Sequence, residues 1–449
     1  MTAPDTAIVP DAAAFLTAVR QSGVLTPEQF HQALETIPKS ANSTVIADFF
    51  VKSQLLTPFQ ADQLLRKRST SLLLGQYVIL EEIGRSSGGR IFKARHRTMG
   101  RYAAIKILSS RLTRAAETYE ILQAETRLAA QLIHPNIVAV LDFNRVGDRW
   151  YLIREYVEGV SADHLVQEQG PLPVRQACEI IRQAALGLHY AHEKGQSHGG
   201  LTPAELLILQ LPTGRMEVKV ANFGLGRMTG LIAVDQPANP LSDPADYLAP
   251  EQFQNPGSSS PAADLYALGC ILYFLLTGRP PYSANSLADK AKAHLFSSPI
   301  PLAILRPDTP IVLAALLDVL LSKNPAARFP TAADLANHLT PFAEMDQGLF
   351  PSPLSGIHPR TEQGTLAATV TVPAMDASPW TDLSGDSGVA SAVAAALKTP
   401  VSLRKIVKSP SRSALRHQRR GLAWWLGFAV LVVSAIVALL VWWWLRRYV

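Results

Sequence analysis

From Leu422 to Leu445 the chain runs for 24 residues without a charge, and most of them are apolar. As a helix rising about 1.5 Å per residue this stretch reaches about 36 Å, enough to cross a bilayer with some tilt. Trp424 and Trp425 stand at one end and Trp442, Trp443 and Trp444 at the other, where amphipathic rings anchor a span in the interface. Arg404, Lys405, Lys408, Arg412, Arg416, Arg419 and Arg420 precede the run, and only Arg446 and Arg447 follow it. The positive-inside rule therefore predicts a single-pass protein of the cell membrane, with everything N-terminal to the anchor in the cytoplasm. Residues 1–25 lack the basic start and continuous apolar stretch of a signal peptide.

The same tail explains the net charge of +6. From Ser387 onward there are ten Lys or Arg and no Asp or Glu, which leaves 32 basic against 36 acidic residues before it. Basicity belongs to the anchor region, so a nucleic-acid-binding domain is not expected. The two cysteines, Cys178 and Cys270, sit in apolar surroundings and describe neither a disulfide framework nor a zinc site.

Composition divides the rest. Residues 1–70 contain a short repeat: Ser22-Gly-Val-Leu-Thr-Pro-Glu-Gln29 returns as Ser53-Gln-Leu-Leu-Thr-Pro-Phe-Gln60, offset by 31 residues. Thr26 and Thr57 are candidate helix caps, with Pro27 and Pro58 in the first turn, so a helical module of two similar helix-loop-helix units is expected. Residues 76–342 carry strand patterns up to about residue 156 and helical patterns after it. Residues 343–421, rich in Ser, Pro, Ala, Thr and Gly, are expected to form a disordered linker that is basic at its C-terminal end. The span at 422–445 and a short tail at 446–449 complete the expected order.

Across residues 76–342 an ordered series of motifs carries a resemblance. Ile83-Gly84-Arg85-Ser86-Ser87-Gly88-Gly89-Arg90-Ile91 is similar to a glycine-rich phosphate loop, with Ser86 in place of its middle glycine. Ala103-Ala104-Ile105-Lys106 looks like the Val-Ala-Ile-Lys strand, and Glu125 falls where a helix glutamate pairs with that lysine. Tyr151-Leu-Ile-Arg154-Glu155-Tyr156-Val157 resembles the strand entering an inter-lobe hinge, followed by Leu206-Leu207 as an apolar floor. His198-Gly199-Gly200-Leu201-Thr202-Pro203-Ala204-Glu205 is similar to the catalytic loop His-Arg-Asp-Leu-Lys-Pro-x-Asn, and Ala221-Asn222-Phe223-Gly224 to the Asp-Phe-Gly segment. Ala249-Pro250-Glu251, Asp264 and Arg328 match the large-lobe anchors. The chain resembles the bacterial eukaryotic-like (Hanks-type) serine/threonine protein kinases, as a degenerate member.

The resemblance implies an α+β, bilobal protein-kinase-like fold. It implies a nucleotide site at Gly84, Gly89, Ile91, Ala104, Lys106, Glu125, Glu155, Val157 and Leu207, with ATP as candidate cofactor. It implies structural roles for His198, Phe223, Gly224, Glu251, Asp264 and Arg328, the last pairing with Glu251. The working positions depart from the family. Gly200 replaces the aspartate that accepts the substrate proton, Thr202 the lysine on the γ-phosphate, and Glu205 the asparagine that holds a metal. Asn222 replaces the main Mg²⁺-binding aspartate, which weakens the case for magnesium, since a neutral amide adds no charge against a hard dication. Asp243 stands where a hydroxyl residue contacts the catalytic loop. Arg154 takes a position guarding the back of the adenine pocket, usually apolar, and Glu125 is its expected partner. The resulting expectation is a membrane-tethered pseudokinase that binds cytoplasmic proteins through its lobes or N-terminal helices. The alternative is a serine/threonine kinase with weak or unconventional ATP-dependent transfer.

Overall fold

A computed structural model of the chain describes residues 10–37, 42–68, 72–86, 89–108, 116–147, 149–223 and 243–344. The linker at 345–421, the apolar run Leu422–Leu445 and the tail lie outside the described residues. Among the described residues no helix is long and apolar enough to cross a membrane.

The chain opens with helices α1 (Pro10–Ser22), α2 (Pro27–Thr36), α3 (Ser43–Lys52) and α4 (Pro58–Leu65). The repeated Thr-Pro-x-Gln sets two of their starts. Thr26 accepts from the Gln29 amide at 3.2 Å while Gln29 Oε1 accepts from the Thr26 N–H at 3.0 Å, and Thr57 and Gln60 repeat this at 3.2 and 2.8 Å. Each box satisfies amide donors that a helix start otherwise leaves orphaned, and proline at the first position loses no bond there. Phe15, Val19, Ala33, Ile46, Phe50 and Leu64 form the core between these helices.

The two copies differ in what they touch. Thr57 Oγ1 donates to the Leu80 carbonyl at 2.5 Å and Gln60 Nε2 to the Ile79 carbonyl at 2.7 Å, so the second copy is bonded to the sheet that follows it. Phe59 packs against both the helical core and the sheet's core, its ring 6.0 Å from that of Phe92. At the equivalent place the first copy has Glu28, which is exposed.

That sheet is six-stranded and antiparallel, in the order β1-β2-β3-β4-β6-β5. Its members are β1 (Leu73–Leu74), β2 (Tyr77–Ser86), β3 (Gly89–His96), β4 (Tyr102–Leu108), β5 (Val140–Val146) and β6 (Arg149–Glu155). Helix α5 (Ala116–Ala129) packs beside β5. Strand β4 is buried from Ala103 to Leu108, as a central strand covered on both faces must be.

The helical lobe is built on α6 (Ala162–Gln169), α7 (Val174–Glu193), α8 (Pro250–Gln254), α9 (Pro261–Thr277), α10 (Leu287–Phe296), α11 (Leu302–Leu305), α12 (Ile311–Leu320) and α13 (Ala332–Ala343). A small sheet, β7 (Val160–Ser161), β8 (Leu206–Gln210) and β9 (Met216–Val220), carries the segments that face the upper lobe. Helix α9 is capped by Ser260 and ended by Gly278 in the left-handed conformation, and every residue from Ala263 to Leu276 is buried. A helix apolar all round has no solvent face, so α9 is the axis of the lobe. Asn136 stitches the lobes together. Its side chain donates to the Val218 carbonyl at 2.9 Å and to Gln183 at 3.1 Å, and its own carbonyl accepts from Val220 at 2.8 Å.

Candidate active site between the lobes

The loop His198–Glu205 is held from below by Asp264, near the start of α9. The buried carboxylate accepts from the His198 and Gly199 amides, both at 2.8 Å, and meets His192 Nε2 at 2.8 Å. A carboxylate filled by backbone N–H groups is a rigid fixture, because each bond is charge-assisted and shielded from water. Gly199 has φ +75°, a left-handed turn that suits glycine, and its carbonyl accepts from Gln252 at 2.9 Å. His198 Nε2 lies 2.8 Å from the Ala221 carbonyl and its ring meets Phe223 edge-on, centroids 5.0 Å apart. At the family's proton-accepting position Gly200 offers no side chain.

Glu205 is engaged at both oxygens. Thr202 and Glu205 form a capping box around the turn Pro203–Glu205, with Glu205 Oε2 accepting from the Thr202 N–H at 3.0 Å and from the Thr202 hydroxyl. Glu205 Oε1 accepts from Asn222 Nδ2 at 3.1 Å. The Thr-x-x-Glu spacing is a helix-start signature in the sequence, and it coincides with the position where the family holds a metal.

Arg154 completes the cluster, and here the expected partner is corrected. Its guanidinium donates from Nη1 to Asn222 Oδ1 at 2.5 Å, rather than to Glu125. From β6, next to Ala104 in the sheet, Arg154 is 5% exposed, so its charge must find an acceptor inside the cleft. Asn222 meets that need from a left-handed backbone, φ +70°, which asparagine tolerates better than most residues. Arg154 Nε is buried with no hydrogen-bond partner. Burial pushes the Arg154 pKa down to about 10, against the opposing pull of the Glu205 charge.

Lys106, 1% exposed, shares this environment. Burial first, and the Arg154 charge second, bring its pKa down to about 7, with Glu205 pulling the other way; Glu125 is not among these influences. Glu125 itself is half-buried on α5. A lysine pKa depressed from 10.5 to about 7 means that its destabilising cost is fully present below pH 7 and fades as the pH rises toward 10.5. Lys106→Met is therefore expected to raise the melting temperature by several degrees at pH 6.5 and by clearly less at pH 9. Melting curves of the two proteins at both pH values check this, and a gain independent of pH would refute it.

The remaining candidate positions line the cleft's upper wall and hinge. Gly84 pairs with Ile91 across the β2–β3 hairpin, and among the described residues a Cβ there would meet Ile91 Cδ1 at 4.0 Å, an ordinary contact. Gly89 has φ +139°, and a Cβ would come within 1.9 Å of the Ile107 carbonyl oxygen, so this position admits no other residue. Residues 87–88 between the strands are outside the described residues. Ala104 is buried, and Ile91, Leu207 and Val157 are half-buried. The Glu155 amide donates to Ala139 at 2.9 Å and its carboxylate pairs with Lys219 at 3.1 Å.

Beyond Phe223, Gly224 lies outside the described residues. Where they resume, Asp243 caps the turn Pro244–Asp246 and pairs with Lys290 on α10 at 2.8 Å; Lys290 also reaches Asp246 at 2.7 Å. Asp243 is thus tied to α10, a partnership that nothing in the sequence signalled. Arg328 meets Glu251 through two parallel bonds of 2.6 and 2.9 Å.

A family model described as protein kinase domain matches residues 77–340. The serine/threonine-protein kinase PknB of Mycobacterium leprae is 33% identical over 268 residues, covering 59% of this chain and 42% of that protein. PknA of Mycobacterium tuberculosis is 32% identical over 270 residues, 59% of this chain and 61% of the relative. This chain thus spans between two fifths and about three fifths of those relatives' lengths. Among solved structures, Rad53 1–466 in complex with AMP-PNP aligns with a TM-score of 0.50 at 26% identity, covering 63% of this chain and 70% of that one. The match runs through both lobes and the cleft just described, and the chain belongs to the protein kinase family, with homology to bacterial serine/threonine kinases.

Proposed function

We propose that this protein is a membrane-tethered pseudokinase that works by binding cytoplasmic proteins, with phosphoryl transfer lost. One observation carries the reading: beside Gly200, Glu205 has Oε2 on Thr202 and Oε1 on Asn222. The loop thus has no free carboxylate to accept a hydroxyl proton in place of the missing aspartate. General-base help contributes about 10²–10⁴ in rate, and electrostatic stabilisation of the transferring phosphoryl is usually larger. Both are compromised at once. Meanwhile the supports that keep the fold rigid, Asp264 under the loop and Arg328 on Glu251, are fully bonded. A domain that keeps its frame and loses its working groups suits recognition. The sequence of Leu422–Leu445 and its basic flank support the membrane tether and the cytoplasmic side.

A second reading, weak ATP-dependent transfer, draws on the retained Lys106 and on the relatives' activity. Incubating the full-length protein with γ-labelled ATP and a generic acceptor separates the two. The expected result is no incorporation above a Lys106→Met control. Turnover near 1 s⁻¹, the low end for kinases, that disappears in that control would overturn the proposal. Removing residues 422–449 is expected to move the protein from the membrane to the soluble fraction, and retention on membranes would refute the tether.

A further inference from the structure

The fold family implies magnesium at this cleft, and the residues present do not fit it. A hard dication of this size asks for near-octahedral oxygen ligands, with carboxylates to offset its charge. Here the Asn222 oxygen already faces the Arg154 guanidinium at 2.5 Å, and the two Glu205 oxygens hold Thr202 and Asn222. Among the described residues no group of three His, Cys, Asp or Glu could hold a metal ion. The cation at the two metal-binding positions is already part of the protein: the guanidinium lies directly on Asn222 and, through that amide, is joined to Glu205.

Arg154 and Lys106 are both almost wholly buried, and among the described residues the Glu205 charge favours the ionised form of each. An anion beside a buried guanidinium would offset its desolvation and would also favour the charged form of Lys106. Arg154 also has a donor to give, since Nη1 serves Asn222 while Nε is buried without a partner. A guanidinium can serve several acceptors at once through its fork of five N–H groups, and phosphate oxygens match that geometry. Ile91, Ala104 and Leu207, the positions that the resemblance gives to the nucleotide base, are apolar and buried or half-buried, and Ala104 pairs with Arg154 across the sheet.

We infer that Arg154 is the built-in counter-cation of this cleft, so that the site takes the polyphosphate of a nucleoside triphosphate free of divalent metal, between the guanidinium and Lys106. This deepens the pseudokinase reading, since a site whose cation is fixed to the protein holds phosphate without the mobile metal that transfer uses. Magnesium on the nucleotide then acts against binding: it neutralises the phosphates that the two side chains recognise and brings a dication toward the fixed Arg154 cation.

The test uses the full-length protein in detergent, with fluorescent-nucleotide anisotropy and thermal melting as readouts. The arms are ATP with EDTA, ATP with excess Mg²⁺, and inorganic triphosphate with EDTA. ATP with EDTA is expected to bind and to raise the melting temperature, and excess Mg²⁺ to weaken the affinity at least tenfold. Triphosphate alone is expected to compete more weakly than ATP; equal affinity would remove the nucleoside from the proposal. Arg154→Met should abolish the metal-free binding, whereas Arg154→Lys, which keeps a charge, should retain part of it. If the methionine variant does not fold, Asn222→Asp serves, because a new carboxylate beside the cations should weaken ATP in EDTA. Tighter binding with Mg²⁺, unchanged binding to a folded Arg154→Met protein, or no ATP binding in any arm would each overturn the inference. None of these outcomes touches the pseudokinase reading, which fails only if labelled phosphate is transferred.

Discussion

Replacing Glu251 by alanine is expected to cost the domain about 3–5 kcal/mol, the range for removing one partner of a buried ion pair. For a domain of this size that lowers the melting temperature by roughly 10 °C. The Arg328 side chain is wholly buried, and its partners are fixed on every side: Glu251 at 2.6 and 2.9 Å, the Ser322 carbonyl at 2.9 Å and the Ala262 carbonyl at 2.8 Å. The guanidinium also lies 4.8 Å from the centre of the Tyr266 ring. Without Glu251, itself a quarter exposed, the wholly buried guanidinium keeps its two carbonyl partners but no counter-charge, and most of the desolvation already incurred goes uncompensated. Replacing both partners, Arg328→Met with Glu251→Leu, should recover much of the loss, since an apolar pair of similar volume needs no solvation. The exposed pair Lys52–Asp48, 3.6 Å apart, gives the contrast: Lys52→Ala should change stability by less than about 1 kcal/mol. Denaturant unfolding of the three variants measures these differences, and a Glu251→Ala loss below 1 kcal/mol would show that water reaches Arg328.

The Glu251–Arg328 pair also marks where the sequence is legible and where it is not. Its two halves lie 77 residues apart, and only resemblance to a known family connects them. Local patterns need no such help: Thr26-Pro27 and Thr57-Pro58 announce their helices because a cap is settled within four residues. Burial breaks this locality. The sequence offers Arg154 a carboxylate, Glu125, yet its hydrogen-bond partner is the neutral Asn222, 68 residues away in sequence. A buried guanidinium takes the acceptor that the fold brings to it, and net charge along the chain does not reveal which one that is. The two copies of the N-terminal repeat teach the same point at smaller scale. Their caps are alike, but Phe59 against Glu28 decides which copy seats on the sheet. The signal was one residue, meaningful only once Phe92 and the Ile79 and Leu80 carbonyls are placed opposite it.

Gly200→Asp alone is expected to leave phosphoryl transfer at the level of the unaltered protein. An aspartate at 200 supplies an acceptor for the hydroxyl proton, but the Arg154–Asn222–Glu205 contacts persist. Groups that act as a unit give little when restored one at a time. Changing Arg154→Met, Gly200→Asp, Thr202→Lys, Glu205→Asn and Asn222→Asp together removes the fixed guanidinium, frees the metal positions and returns a carboxylate to each of the two places where the family carries one. That fivefold variant is expected to transfer phosphate at least about 10² faster than Gly200→Asp, the scale on which removing one electrostatic support of a transition state is felt. The gain should vanish when Lys106→Met is added. The comparison is decisive because both proteins share the base and differ in what surrounds it. If Gly200→Asp alone came within tenfold of the fivefold variant, the contacts of Arg154 and Glu205 would be no obstacle to transfer, and the missing aspartate would be the whole defect.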